Sequence, residues 1–166
     1  MSPWIVTAEA LAPFRVAQPP RPAGDPRPLP HLWDDRDQQS GAFDIALEAL
    51  VLTRQMRDKG MAPHRVSHSN TTDLYWTLAQ LVAHHTSGGC NLMPGDLFGT
   101  GTISGPTEAG WGSLSEQSLD GTRPFSVETG ETRTFLENGD EAIFRARASR
   151  DGYVSIGFGE CRGRVI

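Results

Sequence analysis

Residues Asn91 to Glu116 read N-L-M-P-G-D-L-F-G-T-G-T-I-S-G-P-T-E-A-G-W-G-S-L-S-E, a stretch dense in glycine and hydroxyl side chains. Eight glycines lie between Gly95 and Gly130, in a chain of otherwise ordinary composition. Glycine adopts backbone conformations that a β-carbon forbids, so this density predicts a tightly turned loop. Such loops, when a rigid scaffold holds them, commonly present binding and catalytic groups.

The length and charge of the chain narrow its class. Its 166 residues predict one domain, large enough to bury a core, and the formal net charge of -5 gives no basic surface for nucleic acid. No apolar run is long enough for a membrane span, and Pro3 and Glu9 interrupt any signal peptide. Cys90 and Cys161 are too few for a disulfide framework and favour a reducing cytoplasm, a disulfide between them being the less favoured alternative.

Hydrophobic periodicity outside the glycine-rich stretch predicts an α+β fold, rich in strands, with one main helix. Apolar and polar residues alternate over 43–51, as in a half-buried strand, and Leu50 and Leu52 predict that its end is covered on both faces. The proline-rich stretch 13–37 predicts an irregular connector, and 54–60 a surface turn or short helix. Further strands are predicted at 4–6, which is expected to be buried, and at 96–99, 132–136, 141–148 and 153–158.

The main helix is predicted to begin after Asn70, a good N-cap, with Asp73 favouring the exposed amides. Gly88-Gly89 is predicted to end it. One face of this helix is expected to be apolar and to pack inward, with Leu74, Leu78, Leu81, Val82 and His85 along it.

The glycine-rich stretch resembles the C-terminal signature of the fumarylacetoacetase family. The family's G-T-x-S-G-P stands here at 101–106, and its S-L-x-E stands at 113–116. Further blocks agree in order and spacing: S-P-W-I-V near the start, D-P-R-P-L-P at 25–30, F-D-I at 43–45, S-x-S-N at 67–70, Y-W-T at 75–77, H-H-T-S-x-G-C-N-L-x-P-G-D at 84–96 and G-Y-V-S-I-G-F-G-E-C-R-G-R-V at 152–165. The resemblance covers nearly the whole chain and implies the mixed β-sandwich roll of the family's C-terminal domain.

The resemblance also implies an activity, the hydrolysis of a carbon–carbon bond of fumarylacetoacetate to fumarate and acetoacetate in tyrosine and phenylalanine breakdown. Thr102, beside Gly101, corresponds to the family threonine that binds a substrate carboxylate. Glu116 corresponds to the carboxylate that hydrogen-bonds the catalytic histidine and fixes its tautomer, as the aspartate does in a Ser-His-Asp catalytic triad. The ordinary alternatives are a threonine that satisfies a turn and a surface glutamate.

Two features of this sequence depart from the family. The family flanks the glutamate with apolar residues, whereas Ser115, Gln117 and Leu119 stand here, which predicts a wetter carboxylate. The family's Mg²⁺ or Ca²⁺ is held by an E-x-E motif and a D-W-S-A-R-D-like segment, which do not occur in these residues, and Lys59 is the only lysine. The metal ligands, the general-base histidine and the lysine and arginine of the oxyanion site are therefore expected to lie outside this chain.

We therefore interpret residues 1–166 as the C-terminal portion of a fumarylacetoacetase catalytic domain, inactive alone. The resemblance implies a homodimer, the cysteine content favours the cytoplasm, and a separately encoded N-terminal part is a further expected partner. The alternative is a non-catalytic module that binds a dicarboxylate or a partner protein through the same loop.

Other candidate sites are weaker. His84 and His85 lie about 100° apart around a helix, which favours a structural role over a shared metal ion. His64 and His68 are predicted to share a strand face, but no third ligand follows at a fitting spacing. The aspartates at 34, 35 and 37 predict a solvated acidic loop, because the glycine and glutamate of a calcium loop are missing. Ser104 and Ser113 do not lie in a G-x-S-x-G nucleophile elbow, and residues 99–101 lack the other residues of a phosphate-binding loop. Cys161 has no histidine partner that would activate its thiol.

Overall fold

The computed structural model describes Ser2 and residues 4–166, so Pro3 of the S-P-W-I-V block lies outside the described residues. The helices are α1 (Asp35–Ser40), α2 (Arg54–Asp58), α3 (Leu78–Ser87) and α4 (Leu114–Gln117), with 3₁₀ turns at Ala12–Phe14, Pro30–Leu32, Thr71–Asp73 and Glu108–Gly110. The strands are β1 (Arg15–Val16), β2 (Ala42–Phe43), β3 (Ala46–Leu52), β4 (His64–Asn70), β5 (Phe125–Ser126), β6 (Thr132–Arg133), β7 (Glu141–Ala148) and β8 (Ile156–Arg164).

A four-stranded antiparallel sheet organises the molecule, in the order β4-β3-β7-β8. The short strands form two antiparallel pairs, β1 with β2 and β5 with β6. This arrangement of antiparallel sheets with short helices confirms the predicted α+β class. The longest helix, α3, has ten residues, and among the described residues no helix combines the length and apolar character that a bilayer span requires.

Both outer strands of the sheet are irregular. The register of β4 against β3 slips between Ala49 and Leu50, which face Ser67 and Arg65. The register of β8 against β7 slips beside Gly159, whose φ of 68° is a conformation that side chains disfavour. Each slip is a β-bulge, which adds a residue to one strand and bends it.

Two hydrophobic clusters cover opposite faces of the central sheet, as the alternation of side chains along β3 and β7 requires. The first contains Leu11, Phe14, Phe43, Ile45 and Ala148, and Leu47 and Ala146 of the sheet pack against it. The second contains Leu50, Leu52, Met56, Val127 and Ile143. Since Leu50, Val51 and Leu52 are all buried, the end of β3 is covered on both faces, as predicted.

A buried ion pair closes the turn before β7. Asp140 is completely buried, and it accepts hydrogen bonds from Arg133 Nε at 2.7 Å and Nη2 at 3.1 Å. The backbone N–H of Glu137 donates to the same carboxylate at 3.0 Å. A charge-assisted fork of this kind satisfies both buried groups, so the carboxylate serves the fold.

The strand predictions succeed in the centre of the sheet and fail at its margins. The predicted bounds 141–148 are those of β7, and the short helix α2 is also confirmed. The predicted irregular connector 13–37 is right only in part, because it contains β1, a 3₁₀ turn and the start of α1. The predicted buried strand at 4–6 is wrong, because Trp4 and Ile5 are 68% and 91% exposed and unpaired within the described chain. The predicted strand at 96–99 is irregular, 132–136 shortens to β6, and 153–158 shifts to β8.

The start and buried face of the main helix also differ from prediction. Asn70 and Asp73 form a capping box around a 3₁₀ turn, and Leu74 is extended. A second capping box, between Thr77 and Gln80, begins α3, which ends at Gly88 as predicted. The predicted inward face is largely open, with Leu78 43% and Val82 39% exposed, whereas Gln80 is buried and donates to the Leu32 carbonyl at 2.8 Å.

Candidate active site

The glycine-rich loop is held closed by two facing glycines. The N–H of Gly105 donates to the Gly110 carbonyl at 2.8 Å. A β-carbon at Gly110 would lie 3.1 Å from the Gly105 Cα and 3.3 Å from the His68 carbonyl oxygen. Because both neighbours are backbone, a side chain at Gly110 would have to push the loop away from β4 by a few tenths of an ångström.

A third glycine joins the loop to the segment before α4. A β-carbon at Gly112 would lie 2.3 Å from the Ile103 carbonyl oxygen and 2.9 Å from Thr102 Cγ2. The N–H of Gly112 donates to Ser104 Oγ at 3.1 Å. Only glycine permits this approach, and it brings the neighbourhood of Thr102 against that of Glu116.

Glu116 lies in the short helix α4 and closes a capping box with Ser113. Its Oε2 atom accepts the Ser113 N–H at 3.1 Å, the Ser113 hydroxyl at 2.8 Å and the Ser104 hydroxyl at 2.8 Å. The Glu116 N–H in turn donates to Ser113 Oγ at 3.2 Å. The residue is half-buried, so a fixed carboxylate remains in part accessible.

The electrostatics of this carboxylate come from neutral donors. Hydrogen bonding by the Ser113 hydroxyl lowers the pKa of Glu116, and the Ser104 hydroxyl and the Ser113 amide act in the same direction, while desolvation opposes the shift. The nearby Gly112 N–H adds to this effect, and its own hydrogen bond goes to Ser104 Oγ. Donors that favour the charged form keep the carboxylate ionised at neutral pH. An ionised carboxylate held in this way can accept a hydrogen bond from a base and stabilise its cationic form.

Thr102 and Gly101 lie together on the exposed side of the loop. Gly101 has a φ of 78°, and Thr102 presents its methyl group towards Gly112. The structure therefore brings Thr102 and Glu116 to one loop cluster, linked through Gly112 and Ser104. Their substrate-binding and catalytic roles stay predictions.

Two adjoining cavities separate this cluster from the central sheet. One, of about 270 Å³, includes Ile103, Gly112 and Phe144 in its wall. The other, of about 170 Å³, shares Gly112 and Phe144 and adds Trp111 and Ser113. Neither Thr102 nor Glu116 is among the described residues that line these two cavities, so neither cavity connects the two side chains.

The polar residues around Glu116 have structural partners. Gln117 donates from Nε2 to the carbonyls of Glu108 at 2.8 Å and Trp111 at 3.0 Å. The Ser115 hydroxyl donates to Asp120, and Leu119 is 46% exposed. Gln117 thus holds α4 to the preceding loop, and Ser115 holds it to the turn that follows.

The weaker histidine candidates do not converge on one site. His85 packs edge to face on Phe98 at 5.0 Å. His64 contacts Glu128 Oε1 at 2.9 Å, whereas His68 pairs in register with Glu48. The bulge in β4 lies between the two histidines and breaks the alternation on which their predicted shared face depends.

The acidic cluster before Gly41 proves to be a helix N-terminus. Asp34 caps α1 by accepting the Asp37 N–H at 2.8 Å, and Asp37 accepts the Thr77 hydroxyl at 2.6 Å. The predicted acidic loop is therefore corrected to a capped helix. Both cysteines are free thiols, Cys90 exposed and Cys161 half-buried.

Sequence reasoning missed the two serines that hold Glu116. Ser113 and Glu116 form an S-x-x-E pattern, which is the sequence signal of a capping box and was available. Ser104 is part of the family motif at 101–106, but the motif does not indicate its contact with Glu116, which depends on the loop closing through Gly105 and Gly112.

Comparison with known proteins identifies the family. The family described as "Fumarylacetoacetate (FAA) hydrolase C-terminal" matches residues 1–166. The chain belongs to the fumarylacetoacetate hydrolase family. It is 44% identical over 168 residues to the fumarylacetoacetase of Dictyostelium discoideum, 45% over 166 residues to that of Arabidopsis thaliana and 44% over 167 residues to that of Homo sapiens. Each comparison covers 100% of this chain and 37% of the relative, so the chain spans well under half of the curated fumarylacetoacetases it matches.

Proposed function

We propose that this chain contributes the substrate-carboxylate and base-orienting parts of a fumarylacetoacetate hydrolase site. Thr102, with Gly101, binds a carboxylate of the substrate. Glu116 accepts a hydrogen bond from a histidine outside these residues, fixes its tautomer and stabilises the imidazolium formed as water is deprotonated. The observation that carries the proposal is the contact through Gly112, which joins Thr102 to the Ser104–Glu116 hydrogen bond within one family-matched loop.

The residues of this chain do not fit the family's divalent cation. Among Ser2 and residues 4–166, no three histidine, cysteine, aspartate or glutamate side chains are grouped so that they could hold a metal ion. We therefore assign no step through Mg²⁺ or Ca²⁺ to these residues, and any such ion would be bound by another part of the protein. Because catalytic groups that act as one unit lose most of the rate when any is removed, the isolated chain is expected to be inactive.

Turnover of fumarylacetoacetate tests the catalytic half of the proposal. The isolated chain, with magnesium, should leave the absorbance of fumarylacetoacetate unchanged. Adding a recombinant N-terminal segment of a fumarylacetoacetase should restore hydrolysis, and Glu116→Gln in this chain should abolish the restored activity. Robust turnover by the isolated chain contradicts the proposed division of the site. Full restored activity with Glu116→Gln contradicts the role of Glu116.

Calorimetry with fumarate and acetoacetate tests the binding half. Thr102→Ala should remove the heat of binding, because the hydroxyl is exposed on the loop and free of hydrogen bonds to the described residues. Thr100→Ala, two residues away and bonded only to the Gly101 carbonyl at 3.0 Å, is the matched control. If the chain binds fumarate but the added N-terminal segment restores no hydrolysis, the alternative of a non-catalytic dicarboxylate-binding module is favoured. The absence of heat in the wild type rules out ligand binding by this loop.

We further propose that the chain self-associates, as the resemblance to a homodimeric family implies. The segment after α3 exposes Met93 by 66% and Leu97 by 78%, and α3 itself exposes Leu78 and Val82. Exposed apolar patches favour association. Light scattering of the wild type and of Leu97→Lys should show a dimer and a monomer; a monomeric wild type contradicts the proposal. A cytoplasmic location and a separately encoded N-terminal partner also stay predictions.

A further inference from the structure

The carboxylate of Glu116 uses its two oxygens unequally. The three hydrogen bonds that it accepts within the described residues all end on Oε2, from Ser104 Oγ, Ser113 Oγ and the Ser113 N–H. A carboxylate oxygen offers about two lone-pair sites, so Oε2 is saturated. Oε1 is thereby the oxygen with capacity for a further donor.

Of these donors, the Ser113 hydroxyl and amide follow from the capping box of α4, because an N-cap serine and an N3 glutamate bond each other in many helices. Ser104 is different. It lies in the glycine-rich loop, twelve positions from Glu116, and its hydroxyl donates to Oε2 while accepting the Gly112 N–H at 3.1 Å. A helix cap needs no such contact, so Ser104 adds a constraint that the stability of α4 does not explain.

We infer that Ser104 is a positioning residue, which locks Oε2 of Glu116 so that Oε1 is presented to an imidazole N–H. The inference rests on the proposed function. With Oε2 fixed by the capping box alone, the carboxylate keeps freedom to rotate about its terminal torsion, which is broad for glutamate. The second hydroxyl, coming from another segment, removes that freedom. The serine is itself held by a backbone amide, and neither donor carries a charge that would compete with an imidazolium for the carboxylate.

Imidazole is a direct probe of this inference in the isolated chain. We would follow the Glu116 carboxyl carbon by NMR during titration with imidazole near pH 6, where much of the imidazole is cationic. The wild type should respond saturably, and Glu116→Gln should not. Ser104→Ala should weaken imidazole binding about tenfold, the effect of losing one hydrogen bond to a charged group. It should also raise the pKa of Glu116, and Ser104→Thr should restore both properties by returning the hydroxyl.

Ser118→Ala is the matched control for Ser104→Ala. The Ser118 hydroxyl lies at the end of α4, donates to the Leu114 carbonyl at 2.7 Å and accepts the Gly121 N–H at 3.0 Å, without contact with Glu116. This variant should leave both the titration of Glu116 and its response to imidazole unchanged. Equal imidazole affinity and equal Glu116 titration in the wild type and Ser104→Ala would overturn the positioning role.

A measurement on the wild type keeps the inference testable if Ser104→Ala disturbs the loop. Imidazole bound at Oε1 should leave the Ser113 amide proton in its hydrogen-bonded position, whereas displacement of that amide would show binding at Oε2 and overturn the inference. Failure of the proposed function is distinguishable, because it appears as unchanged restored activity in Glu116→Gln or unchanged fumarate binding in Thr102→Ala. Neither of those results depends on Ser104.

Discussion

Asp140 and Glu116 are both held by several hydrogen bonds, yet their surroundings differ. Asp140 is completely buried, and both of its oxygens are engaged by the guanidinium of Arg133. Glu116 is half-buried, and hydroxyl and amide donors meet it on one oxygen. The first carboxylate is neutralised by a fixed cation and closed to any partner. The second remains charged and has an oxygen to offer.

The difference shows how a carboxylate can be held in place while its charge and one of its oxygens stay available to another partner. A cationic partner stabilises a buried charge but also cancels the field that a catalytic acid or base would feel. Neutral donors favour the ionised form and leave its charge for another group. The role of a carboxylate can thus be argued from which donors it has and on which oxygen they lie.

The largest expected effect is that of Asp140→Asn, which would break the buried ion pair. Removing this charge leaves Arg133, 8% exposed, with only the more exposed carboxylates of Glu131 at 3.2 Å and Glu137 at 3.5 Å, so we expect a loss of about 3 kcal/mol in the free energy of unfolding, the lower end for a broken buried pair. Urea unfolding measures it. Asp58→Asn is the control, since its pair with Arg54 is 65–77% exposed and should change stability little. Equal losses in both variants would erase the contrast with Glu116.

Gly112→Ala should have the next largest effect, because the new methyl group would lie 2.3 Å from the Ile103 carbonyl oxygen. Overpacking against backbone costs about 1–3 kcal/mol, and the shift of the loop should also abolish fumarate binding. Gly99→Ala is the control, since a β-carbon there meets nothing within 4 Å. Wild-type binding by Gly112→Ala would show that the approach of the two segments does not form the site.

Glu116→Gln should change the pH dependence of stability. Hydrogen bonds lower the pKa of Glu116, so the unfolded chain takes up its proton more readily than the folded protein. The ionised group therefore stabilises the fold above the unfolded pKa, and this contribution is lost as the pH falls through the lowered folded pKa. The decrease in unfolding free energy from pH 7 to pH 3 should be smaller in Glu116→Gln than in the wild type and in Glu9→Gln, an exposed control. Identical pH profiles would contradict this account of the carboxylate.

Thr102→Ala should have the smallest effect on stability. The side chain is exposed, so the free energy of unfolding should change by no more than about 0.5 kcal/mol. Thermal unfolding of wild type and variant measures this. A loss above 1 kcal/mol would mean that Thr102 supports the loop, and any loss of fumarate binding would then follow from the fold.

The centre of the sheet could be predicted from the sequence because local pattern and tertiary burial agree there. β7 lies between turns at Asn138-Gly139 and Asp151-Gly152, and its predicted and observed bounds agree. The start of α3 could not be placed from one cap, because two capping boxes follow each other, at Asn70 and Thr77. The buried face of α3 could not be predicted from its apolar residues, because the polar Gln80 is buried and a hydrogen bond to the Leu32 carbonyl satisfies its amide.

The sequence predicts the two main residues of the candidate site, but it does not predict the hydrogen bonds that link them. Thr102 and Glu116 were found through the family motif, and the structure brings them to one loop cluster. The hydrogen bonds through Ser104 depend on the closing of a loop, which residue spacing does not encode. The same holds for the bulge that separates His64 from His68, because a register slip depends on the partner strand.

The two bulges at the margins of the central sheet affect the tendency of the protein to aggregate through its edge strands. A straight outer strand offers a row of unpaired backbone groups on which another chain can grow, the first step towards fibres. Here the slip in β4 and the left-handed Gly159 in β8 bend both margins away from a flat template. Copies of this chain should therefore associate through side-chain contacts and not by backbone pairing of their edge strands. A concentrated sample should resist conversion to amyloid.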